Sequence, residues 1–272
     1  MNILSILFYI LLFIFVSLVL RIVYTKYNKI KNKIYDLKKD GIVIIPKLLT
    51  DIEEYNIKNL VLNGYSLEAK EIIINSQFIR KQIEAILGDD YEFHDYIFVI
   101  KKSQFNACHR DYNGKSFNSK QLYPSYTIII YLENMEKSLD IIPGSHKSLM
   151  TNAINITDYS ENIVCPKGGA LLFDANLIHS GSINKDELNL RIQMKISHKN
   201  DKNSTLKFYQ KYNKALNKES NKPLWFKKLS KHLSCTIPLI SQLTQKYDNN
   251  KDNINNDNGN KGNFIYPELD NI

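Results

Sequence analysis

From Tyr91 to Ser197 the sequence falls into short β-rich runs, and these restrict the possible folds more than any other feature. The runs are Tyr91–Lys101, Tyr126–Leu132, Leu139–Ile142, Ala170–Phe173 and Leu190–Ser197. Turn signals separate them at Asn113-Gly114, Pro143-Gly144 and Gly168-Gly169. Alternation is clearest in "LRIQMKIS". Leu190, Ile192, Met194 and Ile196 fall on one face there, and Arg191, Gln193 and Lys195 on the other. Ahead of these runs, "GIVIIP" (Gly41–Pro46) reads as a strand stopped by its proline. Thr50-Asp51-Ile52-Glu53 is a capping box opening a helix with Ile52, Tyr55, Ile57, Leu60 and Val61 as its apolar stripe, up to Gly64. A second helix is predicted from about Ser76 to Leu87, ending at Gly88. A few early helices followed by many short strands predict an α+β domain built on a barrel or jelly roll.

Composition supports a packed core, since 43% of the 272 residues are hydrophobic. The net charge of +8 is uneven: residues 21–40 hold seven Lys or Arg against two Asp. A second basic stretch runs from Lys202 to Lys231. Neither carries a nucleic-acid motif, so both read as solvated or membrane-facing charge, with no nucleic acid as partner. Cys108, Cys165 and Cys235 are odd in number and widely spaced, without a C-x-x-C. They predict reduced thiols rather than a disulfide framework, with Cys108 as a small packing residue.

Ile3 to Leu20, "ILSILFYILLFIFVSLVL", contains no charge. As a helix it would be about 27 Å long, close to a hydrocarbon core of about 30 Å. No Lys or Arg precedes it and a basic cluster follows it, which predicts an uncleaved single-pass anchor rather than a signal peptide. The positive-inside rule then leaves the rest of the chain on the cytosolic side. Tyr24 and Tyr27 sit where interfacial aromatics belong. After His198 the sequence turns polar: residues 204–216 suggest a helix, Lys222–Ile240 a basic helix packed on the core or touching lipid, and Asp248–Lys261 disorder.

Four residues within this frame carry chemistry. In a strand, residues i and i+2 share a side, so His109 and Asp111 of "ACHRDYNG" can aim two ligands at one metal while Arg110 points away. His179, in "GGALLFDANLIHSG", comes from a strand followed by a turn at a barrel mouth. Two imidazoles and a carboxylate with positions left open form a facial triad suited to Fe(II), and also fit other metals. Arg191, twelve residues after His179, lies on the polar face of the next strand. If that face is the interior, the guanidinium needs an anionic partner, and a dicarboxylate would supply one.

The chain resembles the phytanoyl-CoA dioxygenase family of Fe(II)/2-oxoglutarate oxygenases over about Leu37 to His198. The resemblance rests on "LKKDGIVIIPKLLTDIEE", His109-Arg110-Asp111, "LDIIPGSHK", "PKGGALLFDANLIHSGSIN" and Arg191. Pro143-Gly144-Ser145-His146 is its most specific word, and His146 is taken as a turn residue rather than a fourth ligand. The resemblance implies a double-stranded β-helix core, His109, Asp111 and His179 as iron ligands, and Arg191 as the clamp on 2-oxoglutarate. It makes Tyr126 and Thr127 candidate walls of the cosubstrate pocket. Relatives often read His-Gly-Ser where this chain has His179-Ser180-Gly181-Ser182, so Ser182 or Ser180 would supply the serine hydroxyl. Gly168-Gly169 replaces a common Gly-Asp.

The resemblance further implies hydroxylation of a substrate with O2, coupled to oxidative decarboxylation of 2-oxoglutarate to succinate. The family's halogenating members replace the carboxylate that is present here as Asp111. The anchor and basic stalk suggest a lipid or acyl-CoA substrate. An inactive membrane-anchored scaffold retaining the fold, or a zinc hydrolase, are the other readings. The expected organisation is an anchor at 1–24, a stalk at 25–38, the oxygenase domain at 39–200, a basic helical extension at 201–247 and an Asn-rich tail at 248–272.

Overall fold

A computed structural model describes residues 3–27, 33–101, 108–111, 122–147, 160–182, 190–202 and 223–236. Its larger sheet has the order β1-β7-β4-β9-β2, formed by β1 (Ile42–Ile45), β7 (Ala170–Asp174), β4 (Tyr126–Tyr131), β9 (Arg191–His198) and β2 (Tyr91–Phe93). A further strand, β3 (Phe98–Ile100), pairs with β9 beside β2. The smaller sheet runs β6 (Glu161–Ile163), β5 (Leu139–Ile141), β8 (His179–Gly181). Every strand pair described is antiparallel. This agrees with the jelly-roll expectation at the level of a sheet-rich antiparallel core with flanking helices.

The large sheet buries both faces, which is why β4, "YTIIIY", is apolar along almost its whole length. One face packs Ile128, Ile130, Leu172, Ile192, Met194 and Ile196 against the helices α3 (Asp51–Leu62), α4 (Ser66–Asn75) and α5 (Gln77–Leu87). The other face meets the small sheet through Ile42, Ile129, Leu171 and Phe173 against Leu139, Ile141 and Ile163. The predicted alternation of "LRIQMKIS" is therefore real: its apolar face meets the helices, and Arg191 and Lys195 face between the sheets.

Helix α3 opens with the predicted capping box, since Thr50 N–H donates to Glu53 (2.9 Å) and Glu53 N–H to Thr50 Oγ1 (3.2 Å). Its buried residues are Ile57 and Val61, whereas Ile52 and Tyr55 of the predicted stripe are exposed. Helix α5 starts after Ser76 and stops at Gly88, as the sequence predicts. Helix α4 was not predicted; its "EIIIN" is β-branched and reads as strand, but packing of Ala69 and Ile73 prevails over propensity. The single run predicted over Tyr91–Lys101 divides into β2 and β3, and β6 went unforeseen at three residues.

The N-terminal run forms α1 (Ile3–Tyr27), a helix of 25 residues and about 37 Å. Its described apolar side chains from Ile3 to Leu20 are exposed except for the half-buried Ile14, and Ser17 Oγ donates to Ile14 O at 2.8 Å. Side chains are described without a break only from Ile3 to Ser17, and among the described residues no helix is long and apolar enough to cross a membrane. A short helix α2 (Leu37–Asp40) precedes β1, and α6 (Leu224–Thr236) falls within the basic helix expected at Lys222–Ile240. The expected helix at 204–216 and the Asn-rich tail lie outside the described residues, as does Asn113-Gly114.

Gly168-Gly169 forms the tight turn before β7. Gly168 O accepts from the N–H groups of Leu48 and Leu49, both at 2.9 Å. A Cβ on Gly169 would stand 2.7 Å from Pro46 O and 2.8 Å from Ile45 O, backbone atoms that cannot step aside. Gly169→Ala should therefore destabilise the fold by about 2–3 kcal/mol. A urea-denaturation midpoint within experimental error of wild type would refute this packing argument.

Candidate metal centre

His109, Asp111 and His179 come together as the sequence predicts, with one ligand atom from each lying within 4.8 Å of the others. The segment Cys108–Asp111 is fixed at every residue. Cys108 N–H donates to Ser234 Oγ (2.8 Å), His109 and His179 exchange two backbone hydrogen bonds (2.9 Å each), and Asp111 N–H reaches Ala175 O (2.9 Å). Arg110 turns away as the i+2 rule requires and donates to Asn176 O at 2.8 Å. Burial lowers its guanidinium to about 10, with Asp174 opposing that shift.

The turn before His179 follows from "LFDANLIHSG". Asp174 Oδ1 accepts from Asn176 N–H at 2.8 Å, a local turn that sends the chain into β8. The Pro143–His146 word acts on the same place. Ser145 Oγ accepts the N–H of Ile178 (2.8 Å), and Ile142 N–H donates to Ile178 O (2.9 Å). The turn thus anchors the residue just before His179, which gives the most specific word in the sequence a mechanical role. His146 is buried, donates from Nε2 to Lys38 O (3.2 Å) and packs on Gly41, whose φ of +82° and lack of Cβ leave it room. It is a turn residue and not a ligand.

Ligand orientation is also set. His179 Nδ1 donates to Leu177 O at 2.9 Å, because a carbonyl can only accept, and that leaves Nε2 as the metal-facing lone pair. Asp111 Oδ1 stands 3.5 Å from His179 Nε2 and 3.8 Å from His109 Nε2. Neighbouring ligands at about 2.1 Å from one metal would be about 3 Å apart, so closure needs only a small inward movement. Asp111 Oδ2 is taken by Thr127 Oγ1 and Lys195 Nζ, which themselves meet at 2.6 Å. Burial on its own would raise the Asp111 carboxyl; Lys195, then His179 and His109, outweigh it and hold the carboxyl well below the usual range. The donor set fits a divalent metal that keeps open positions.

Arg191 is buried at the start of β9, paired with Tyr131 of β4 and Ile100 of β3. Burial lowers its guanidinium and Tyr131 opposes the shift. It shares the inward face of β9 with Lys195, four residues or about 13 Å further along the strand. Of the Tyr126–Thr127 pair, only Thr127 faces the metal cluster. Tyr126 points to the helix side, its ring 5.5 Å from Tyr91, so the structure makes it a core aromatic rather than a pocket wall. Ser182 is buried and accepts from Asn162 (2.7 Å), and Ser180 Oγ has no hydrogen-bond partner among the described residues.

Lys195 was not singled out from sequence, although the alternation of "LRIQMKIS" put a second cation on the same inward face. Helix α6 was also missed as a part of the site. Besides Ser234, its Lys231 reaches Asp140 and Gly181 O (3.0 Å), which ties the helix to β5 and β8. Cys108 departs from the reduced-thiol expectation: it is disulfide-bonded, while Cys165 is free and buried. The physical reason is proximity, since α6 brings a distant part of the chain onto Cys108 through Ser234.

No protein-family model matches the chain, and no curated protein sequence matches it. Several solved structures share its outline. The non-haem α-ketoglutarate-dependent epimerase SnoN from nogalamycin biosynthesis is 15% identical with a TM-score of 0.48, covering 60% of this chain and 79% of its own. HygX from Streptomyces hygroscopicus, solved with nickel and 2-oxoglutarate, is 13% identical with a TM-score of 0.46, covering 60% and 84%. EvdO2 from Micromonospora carbonacea var. aurantiaca, complexed with 2-oxoglutarate, is 14% identical with a TM-score of 0.45, covering 59% and 86%. These are likenesses in outline, and the reading of the site rests on its side chains.

His94 and His146, both buried, make a pH prediction. Burial lowers each to about 4, from 6.5 in the unfolded chain. Between those values the unfolded chain takes up protons that the folded one refuses. The stability is complete above about pH 6.5 and falls as pH drops towards 4, by about 3 kcal/mol per histidine. Urea titrations across this range should show up to two protons taken up on unfolding, and His146→Gln should remove one. A stability flat from pH 6.5 to 4 would contradict the assignment.

Proposed function

We propose that this chain is an Fe(II)/2-oxoglutarate-dependent oxygenase, with His109, Asp111 and His179 holding the iron and Arg191 the far carboxylate of 2-oxoglutarate. The observation that carries the reading is the division of the Asp111 carboxylate: Oδ2 is occupied by Thr127 and Lys195, and Oδ1 faces the two imidazoles. One carboxylate oxygen and two Nε2 atoms leave positions for a chelating cosubstrate and O2. Bound iron and 2-oxoglutarate would supply oxidative decarboxylation to succinate and, with it, hydroxylation of a substrate C–H bond. The protein's part is positional. Leu177 O holds His179 in the required tautomer, and the His109–His179 bridge sets the ring spacing. The specific place of the chain in the phytanoyl-CoA dioxygenase family, and a lipid or acyl-CoA substrate, belong to this proposal and rest on the sequence motifs.

The full chain in detergent is the right material, because α6 buttresses the site. With Fe(II) under anaerobic conditions it should bind 2-oxoglutarate, and on admitting O2 it should form succinate slowly without substrate. Arg191→Ala should weaken 2-oxoglutarate at least about thirtyfold, the cost of leaving one member of a buried charge pair alone. His179→Ala should abolish succinate formation. Wild type that binds no 2-oxoglutarate, or variants that turn over unchanged, would end this reading.

The proposal includes membrane attachment through the uncharged Ile3–Leu20 run, which forms the first part of α1. The disulfide at Cys108 removes the cysteine argument for a reducing compartment, so a cytosolic domain rests on the basic cluster after the run alone. Expressed in cells, the full chain should stay in the membrane pellet at alkaline pH and a chain starting at Lys33 should not. Release of the full chain by alkali would exclude an anchor.

A further inference from the structure

Lys195 is a buried cation on the far side of the carboxylate that faces the two imidazoles. It lies inside the fold on β9, 4% exposed, with its ammonium against the Asp111 oxygen turned away from the imidazoles and 2.6 Å from Thr127 Oγ1. The register explains the placement, since Lys195 lies opposite Thr127 across the β4–β9 ladder and both side chains point between the sheets. A buried lysine is costly to keep unless its charge is paired, and here the pairing partner is the same carboxylate that faces the two imidazoles.

We propose that Lys195 is the built-in counter-cation of this site, weakening its hold on the metal alone and strengthening the metal-loaded site's hold on a dianionic 2-oxo acid. Charge bookkeeping gives both signs. The two imidazoles are neutral, and Asp111 with Lys195 sums to zero. A divalent metal then enters a neutral site and makes it +2, which a 2-oxo diacid brings back to zero. Without Lys195 the metal would enter a site of −1, attracting it more strongly. The loaded site would carry only +1 for an incoming dianion. Inside a water-poor fold such differences are screened far less than at a surface. Thr127 shares the same carboxylate oxygen and adds no charge, so it positions Asp111 without taking part in this balance.

The second sign rests on the oxygenase reading; the first rests only on the metal cluster. The test uses the full metal-free chain in detergent, with calorimetric titration first of Mn(II), then of N-oxalylglycine into the Mn(II)-loaded protein. Lys195→Met should bind Mn(II) at least about tenfold more tightly and N-oxalylglycine at least about tenfold more weakly, a change of about 1.4 kcal/mol each. A merely structural lysine would weaken both together, and that outcome, or no change in either, overturns the inference. Thr127→Val keeps the ammonium and provides a second arm: its Mn(II) affinity should not rise, and should fall where the lost hydroxyl loosens Asp111. A rise there as large as the one expected of Lys195→Met would equally overturn it. Wild type that binds no Mn(II) would overturn the metal site together with the inference. Wild type that binds Mn(II) but not N-oxalylglycine would overturn the oxygenase reading and the second sign, and leave the first to the Mn(II) titration.

Discussion

A carboxylate between two packed sheets must be held by charge and hydrogen bonds, and the arrangement around Asp111 meets that demand from three directions. Lys195 and Thr127 on adjacent strands of the large sheet take one oxygen. The imidazoles of His109 and His179 face the other. Removing one member of such a buried set typically costs about 3–5 kcal/mol, because the remaining charge is left without compensation. The candidate metal ligand is thus also a fold constraint: β4 and β9 must keep their register for Thr127 and Lys195 to meet Asp111.

The same register serves the other side of the sheet. Each residue that β9 turns inward alternates with one buried against α3–α5, so a slip of one position would move Lys195 into the helical core and Ile196 into the site. This is why "LRIQMKIS" was so legible. Its two faces have opposite chemistry, and only one arrangement buries the apolar set against helices. The triad was legible for a related reason, since i, i+2 spacing on an extended segment is a local property. What was not legible depended on contacts distant in sequence. Tyr126 resembled a pocket wall because strand parity alone does not say which face lies inward. The Tyr91 ring, packed on the helix side, decides that. Helix α4 and the three-residue strands β6 and β8 have too little periodicity of their own and exist through packing and pairing.

Helix α6 changes the meaning of the C-terminal third. Read alone, its basic sequence with Trp225 and Phe226 suits either packing on the core or contact with lipid. In the fold its two ends differ: Leu224 and Trp225 are exposed, while Ser234 is buried against the backbone of the metal-ligand segment. Lys231 between them is bound to Asp140 and to the carbonyl of Gly181, two residues beyond His179. A helix so placed stiffens both ligand-bearing segments from outside, and an apparent appendage belongs to the structure of the site.

The two cations on the inward face of β9 bear on which chemistry such a site can run. A zinc hydrolase of the same three ligands needs a metal-bound water that loses a proton easily, and a nearby cation would help that step wherever it lies. A site that must take up a small dianion uses them both. Lys195 makes the metal end more positive, and Arg191, about 13 Å along the same strand face, can grip the far carboxylate with paired hydrogen bonds. The separation matters as much as the charge: one cation at each end orients a dicarboxylate along the strand, whereas two side by side would bind it without direction. What distinguishes the arrangement of Lys195 and Arg191 is therefore their spacing along one strand face, which suits the end-to-end binding of a small dianion on which the proposed function depends.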